Sequence, residues 1–184
     1  MSMNQKHGAL TEPIAETIRA LAVNAPNWRV FHDHAGPGRQ RIWAHLDKKP
    51  QRERILSGVD ILLADTETRG ALLILEVEET ACPPKTLLGN ILAVALSDSV
   101  SVQGGSDSYA IEPETELWVC YVAGSQGQQR RRNERLLAKL KIVCREAATL
   151  PPIRLIAADS RDDLVNAVHM QLTLWFAGRE GPAH

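Results

Sequence analysis

The chain has 184 residues, of which 44% are hydrophobic and 23% charged, with a net charge of −1 and three cysteines. That is the make-up of a globular protein with enough chain to bury a substantial core in one domain, expected to span about residues 11–177 between loose termini. It argues against a membrane protein, since no apolar run approaches ~20 residues. It argues equally against a disulfide framework or zinc module, since Cys82, Cys120 and Cys144 are odd in number and widely spaced.

The N-terminal MSMNQKHGAL lacks the apolar centre of a signal peptide, so a cytoplasmic location is the default expectation. A near-neutral charge also counts against a dedicated nucleic-acid binder, although the charge is unevenly distributed.

In chain order, Thr11-Glu12-Pro13 reads as a helix start, with Thr11 as N-cap and the proline in the first turn. Ile14, Ile18, Leu21 and Ala22 carry its apolar spacing to about Asn24. Trp28 to His34 and Arg41 to Leu46 read as strands around a turn at Gly36-Pro37-Gly38. Arg52 to Ser57 reads as a polar connector. Val59 to Ala64 is a strand, Asp65 to Gly70 a turn, and Ala71 to Glu78 the next strand. Pro83-Pro84 then breaks the chain before a largely apolar helix, Lys85 to Val100.

Gln103 to Pro113 is a Gly- and Ser-rich loop, and Glu116 to Ala123 a central strand without polar alternation. Gly127 to Leu150 is a basic helix with Leu136, Leu137, Leu140, Val143 and Ala147 inward. Ile153 to Ala158 is a strand, and Ser160 caps a last helix running to about Ala177. The order predicts an α/β fold: a central mixed sheet, an antiparallel meander followed by parallel crossover strands, flanked by helices.

The informative stretch is ALLILEVEETACPPK, Ala71 to Lys85, where a buried strand runs into carboxylates. Strand alternation puts Glu76 and Glu78 on one face, with Leu75 and Val77 on the other. If the hairpin is centred on Thr68, Asp60 lies opposite Glu76, with Cβ atoms about 5 Å apart. Three converging carboxylates repel unless a cation joins them, and hard oxygen ligands suit Mg²⁺, Mn²⁺ or Ca²⁺ rather than zinc. Glu76, Glu78 and Glu79 also fit the solvated end of a strand, with Asp60 as an edge charge that discourages aggregation.

Asp60, then Glu76-Val77-Glu78, on a helix–meander–helix–strand frame, resembles the PD-(D/E)xK nuclease superfamily, the restriction-endonuclease-like fold. The resemblance covers about Thr11 to Ala123. It implies a Mg²⁺- or Mn²⁺-dependent nuclease hydrolysing phosphodiester bonds of DNA. Asp60 and Glu76 would hold the metal, the Val77 carbonyl would complete the shell, and Glu78 would ligate or act as general base. The family's usual Lys is Glu78 here, the ExE form that some members carry. Lys85 is the candidate replacement cation, against a plain solvated helix start. Glu16 on the first helix is a candidate further acid, against a surface residue.

Nucleic acid would meet the basic clusters, Arg39 to Arg54 and Arg130, Arg131, Arg132, Arg135, Lys139 and Lys141, through phosphate contacts. The alternative is a catalytically inactive module of the same fold, binding nucleic acid or a protein partner, such as an accessory subunit of a defence or repair system. A homodimer is compatible with either.

Weaker features are the His32/His34 pair, expected on an exposed strand, and Trp118 and Trp175, expected in the core. There is no GxxxxGK[ST] loop and no GxSxG elbow.

Overall fold

The computed structural model describes residues 8–33, 40–47, 55–79, 83–103, 107–123, 127–146 and 150–179. These form α1 (Thr11–Leu21), β1 (Trp28–His32), β2 (Ile42–His45), β3 (Ile55–Val59), β4 (Ile61–Asp65), β5 (Gly70–Glu78), α2 (Pro84–Ala95), β6 (Ser99–Val102), β7 (Ser108–Ala110), β8 (Glu116–Val122), α3 (Gly127–Glu146), β9 (Ile153–Ala158) and α4 (Arg161–Arg179). A 3₁₀ turn, Ala22–Asn24, follows α1.

The architecture is α/β with a mixed sheet, as the element order predicts. β1, β4 and β5 pair antiparallel, and β5, β8 and β9 pair parallel. β5 also meets β7 at Gly70–Ala110, which joins a second antiparallel run, β7-β6-β2-β3. The sheet therefore branches at β5, a feature the sequence does not announce.

Alternation along the strands sorts the core into two layers. Leu63, Leu73, Leu75, Val77, Trp118 and Cys120 face α1 and α4. Leu62, Ile74, Leu117, Val119 and Tyr121 face the other way, packing with Leu87, Ile91 and Val94 of α2 and Leu140 of α3. α2 also touches β2 and β3, so it lies enclosed between the two branches of the sheet. No described helix is long and apolar enough to cross a membrane.

Several boundaries differ from the sequence reading, each for a local reason. The expected hairpin of the first two strands is absent: β1 pairs with β4, while β2 pairs with β3 and β6. The supposed connector Arg52 to Ser57 contributes to β3, whose Ile55–Val59 alternates in burial against β2. The long apolar helix stops at Ala95, where the Ser97 hydroxyl donates back to the Ala93 carbonyl at 2.7 Å and Ser97 N–H to Val94 O at 3.0 Å. Ser99–Val102 is then free to pair as β6, and Ser108–Ala110 of the supposed loop pairs with it as β7.

Thr11 opens α1 but does not cap it; the cap is Leu10, whose N–H donates to Glu79 Oε1 at 2.7 Å. Ser160 caps α4 as expected, its Oγ accepting the Asp163 N–H at 3.2 Å.

Candidate active site

The strand expected over Val59 to Ala64 is interrupted at Asp60, between β3 and β4. On the β4 side the register is Ile61↔Leu75, Leu62↔Ile74 and Leu63↔Leu73, which carried one step further sets Asp60 against Glu76. The hairpin centred on Thr68 is thus the one observed at this end, and a bulge between Leu63 and Ala64 shifts the pairing only near the turn. The ladder stops at Ile61, and the Asp60 side chain takes over the next amide. Its Oδ2 accepts the Val77 N–H at 2.7 Å, while its carbonyl accepts the Asp33 N–H at 2.8 Å. Asp60 is therefore fixed to β5 by its own carboxylate.

Glu76 is only 6% exposed, and its Oε1 is buried with no hydrogen-bond partner among the described residues. Burial raises its pKa well above the usual 4.5, and the charges of Asp60 and then Glu78 raise it further. The same field reaches Cys120 on β8, paired with Val77. Its thiol is pushed up by burial, then by Asp60 and Glu76. Cys120 is a buried free cysteine, as expected of a small core residue.

Glu78 is half-buried on the same face as Glu76 and accepts the Asn90 amide at 2.6 Å through Oε1. Sequence reasoning missed Asn90. Its signal was a polar residue beside Leu87, Ile91 and Val94, at helical spacing on the buried stripe of α2.

Three acids expected near one another are thus close enough to act on one another's charge. As they stand, no three His, Cys, Asp or Glu among the described residues gather tightly enough to enclose a metal ion. Val77 is 5% exposed and paired with Cys120; its amide, not its carbonyl, is the atom seen to engage a site acid.

The other candidates separate from this site. Lys85 is exposed in the first turn of α2 and makes no ion pair with the acids among the described residues. Glu16 is exposed on the outer face of α1, a helix that packs on the opposite side of the sheet from Glu76, so it is not a further site acid. Glu79 is not a solvated strand end. Its carboxylate holds Leu10 N–H and lies 3.5 Å from Arg161, tying β5 to α1 and α4.

His32 is buried rather than exposed. Its Nδ1 accepts from Arg19 at 2.8 Å, and its Nε2 lies 3.5 Å from Glu12. That Glu12 contact does not have hydrogen-bond geometry. His34 lies outside the described residues.

Arg131, Arg132 and Arg135 are exposed on α3, and Leu140 places this helix on the Glu76 side of the sheet. Arg130 lies on the same helix, with its side chain outside the described residues. Of the other basic cluster, Arg41 is described, 5.9 Å over the Trp43 ring, while Arg39, Lys48, Lys49, Arg52 and Arg54 fall outside.

No protein-family model, curated protein or solved structure matches the chain.

Proposed function

We propose that the chain is a metal-dependent nuclease of the restriction-endonuclease-like kind, acting on DNA with Mg²⁺ or Mn²⁺ held by Asp60, Glu76 and Glu78. The observation that carries this reading is the Glu76 carboxylate: buried, unpartnered at Oε1 among the described residues, and flanked by two further acids. A buried carboxylate in such company is costly unless it is protonated or shares a cation. The donors are all oxygen, which suits a hard divalent ion. Binding would draw the three carboxylates closer than they stand. Asp60 can contribute Oδ1 while Oδ2 keeps the Val77 amide, and Glu78 can contribute Oε2 while Oε1 keeps Asn90.

When bound, such an ion shields charge on a phosphate and makes its water more acidic. The chain's own residues would then do the rest. Glu78 stands where the family has Lys. With one oxygen fixed by Asn90, it offers the other as proton acceptor. Arg131, Arg132 and Arg135 would bind backbone phosphates without reading sequence. Incubation with linear, circular and single-stranded DNA and Mg²⁺ or Mn²⁺ tests the reading. Cleavage should appear and be lost in Glu76→Ala; cleavage that survives that change, or none with either metal, rejects it.

Asn90→Ala should weaken Mn²⁺ binding about 10–100-fold, because it frees Glu78 to swing. Fold stability should change by only about 1 kcal/mol. Calorimetric titration of both proteins with MnCl₂ checks this; equal affinities would mean that Glu78 is not a ligand oriented by α2.

The second reading, a non-catalytic module of the same fold, is favoured by one observation. Lys85 is exposed and unpaired with the acids among the described residues, so nothing described there replaces the family's Lys. DNA binding without cleavage, with acids that take up no divalent metal, would select it.

A further inference from the structure

We propose that the opposite end of β5 carries a second site, a pocket for a phosphate group. A cavity of about 280 Å³ opens there, lined by Arg29, Phe31, Thr66, Arg69, Asp107 and Tyr109. It lies six residues up the strand from Glu76, roughly 20 Å away at the rise of a β-strand. It therefore does not depend on the nuclease reading.

Three elements build it. Arg29 and Phe31 alternate onto one face of β1, opposite Ala64 and Leu62 of β4. The turn after β4 supplies Thr66 and Arg69, and β7 supplies Tyr109. The Phe31 and Tyr109 rings, 5.6 Å apart, make an apolar floor. Burial and then Asp107 raise the Tyr109 pKa, and the two guanidiniums partly oppose that rise.

The polar groups are not spent on one another. Among the described residues neither the Arg29 guanidinium nor the Tyr109 hydroxyl has a hydrogen-bond partner. Arg69 faces Asp107 at 3.7 Å, but both side chains are more than half exposed, so this pair is weak and open to competition. Two guanidiniums against one carboxylate leave the cavity net positive.

Arg69 is also the one described non-glycine residue with a positive φ, 57°. Such a backbone is strained for a side chain with a Cβ. The strain is held in place from two sides. Asp65 Oδ1 accepts the Glu67 and Thr68 amides at 2.8 and 3.2 Å, and the Arg69 carbonyl accepts the Ala110 N–H at 2.9 Å. The turn fixes where this guanidinium starts from.

Guanidiniums from β1 and from the turn after β4, with a phenol from β7, suit an anion with oxygens in several directions. A planar carboxylate needs only one fork. The volume sits just under the ~300 Å³ at which small-molecule sites begin, room for a phosphate group and a small attachment. That phosphate can come from a free ion or mononucleotide, or from a nucleic-acid backbone.

Calorimetry with inorganic phosphate, AMP, a short DNA duplex and acetate, all at one ionic strength, tests the site in the full chain and in Arg29→Gln and Arg69→Gly. The glycine suits the positive φ, so that variant keeps its fold, which circular dichroism checks. Phosphate or AMP should bind the parent protein and lose at least tenfold in both variants. If neither binds but duplex affinity falls tenfold in both, the phosphate is a backbone one, and the site stands. Affinities unchanged in both variants, no binding of any of the three phosphates, or acetate binding as tightly as phosphate would overturn the proposal. Glu76→Gln should leave phosphate binding unchanged, whatever becomes of cleavage.

Discussion

Replacing Glu76 with Gln should make the metal-free protein more stable at pH 8, because the neutral amide escapes the desolvation and the repulsion from Asp60 and Glu78 that the buried carboxylate meets there. For a chain of this length each kcal/mol gained raises Tm by about 2–4 °C. The gain should vanish at low pH. In the unfolded chain Glu76 titrates near the ordinary 4.5; in the folded protein its pKa lies well above that, through burial and then the charges of Asp60 and Glu78. Below the unfolded pKa both states are protonated and nothing is lost. Between the two values the folded state binds more protons than the unfolded one, so stability falls as pH rises. Above the folded pKa the loss is complete and constant.

Urea midpoints of the parent protein and Glu76→Gln at pH 4.5, 6 and 8 should therefore diverge as pH rises. A difference that stays flat across this range would mean that Glu76 is not a buried, unpaired acid. Adding Mn²⁺ separates the two halves of the idea. A ligand of the folded state stabilises by RT ln(1 + [L]/Kd), so Mn²⁺ should raise the parent midpoint at pH 8 and leave the Gln variant nearly unmoved. If Mn²⁺ moves neither, the cation is the wrong answer to Glu76, while the pH dependence still stands.

The legible part of this site was its arithmetic. Strand alternation and a turn centred on Thr68 were enough to set Asp60 against Glu76, because the pairing near the strand end is regular. What no pattern revealed was how Asp60 is held. Its carboxylate bonds the Val77 amide at a break between β3 and β4, which depends on the ladder ending there. The extra strands β3, β6 and β7 were equally hidden. They are short and polar in places, and they become strands only because distant partners complete their hydrogen bonds. Glu79 and His32 read as solvated for the same reason: the groups that bury them, Leu10, Arg161 and Arg19, lie far away in sequence.

Trp175→Ala should cost about 3–5 kcal/mol, the range for emptying a buried aromatic site. Trp175 is 7% exposed and joins α4 to β1 and β8. Its ring lies 6.2 Å from Trp28, 6.4 Å from Trp118 and 5.1 Å from Phe176. Its Nε1 donates to Glu116 Oε1 at 2.8 Å, while Trp118 Nε1 donates to the other oxygen, also at 2.8 Å. One carboxylate thus satisfies two indoles. The Arg179 guanidinium stacks 4.2 Å from the Trp175 ring and closes the cluster at the end of the helix.

Glu116→Gln isolates the polar share. An amide can accept from one indole but presents a second donor to the other, so it should cost about 1–3 kcal/mol. Urea unfolding checks both: the midpoint should fall with the slope unchanged, more for Trp175→Ala than for Glu116→Gln. A Trp175→Ala loss under about 1 kcal/mol would mean that α4 is not docked through this ring. Because α4 covers the face of the sheet opposite Glu76, Mn²⁺ and phosphate affinities of the folded variants should match the parent's. A change in either would show that the two layers of the core communicate across the sheet.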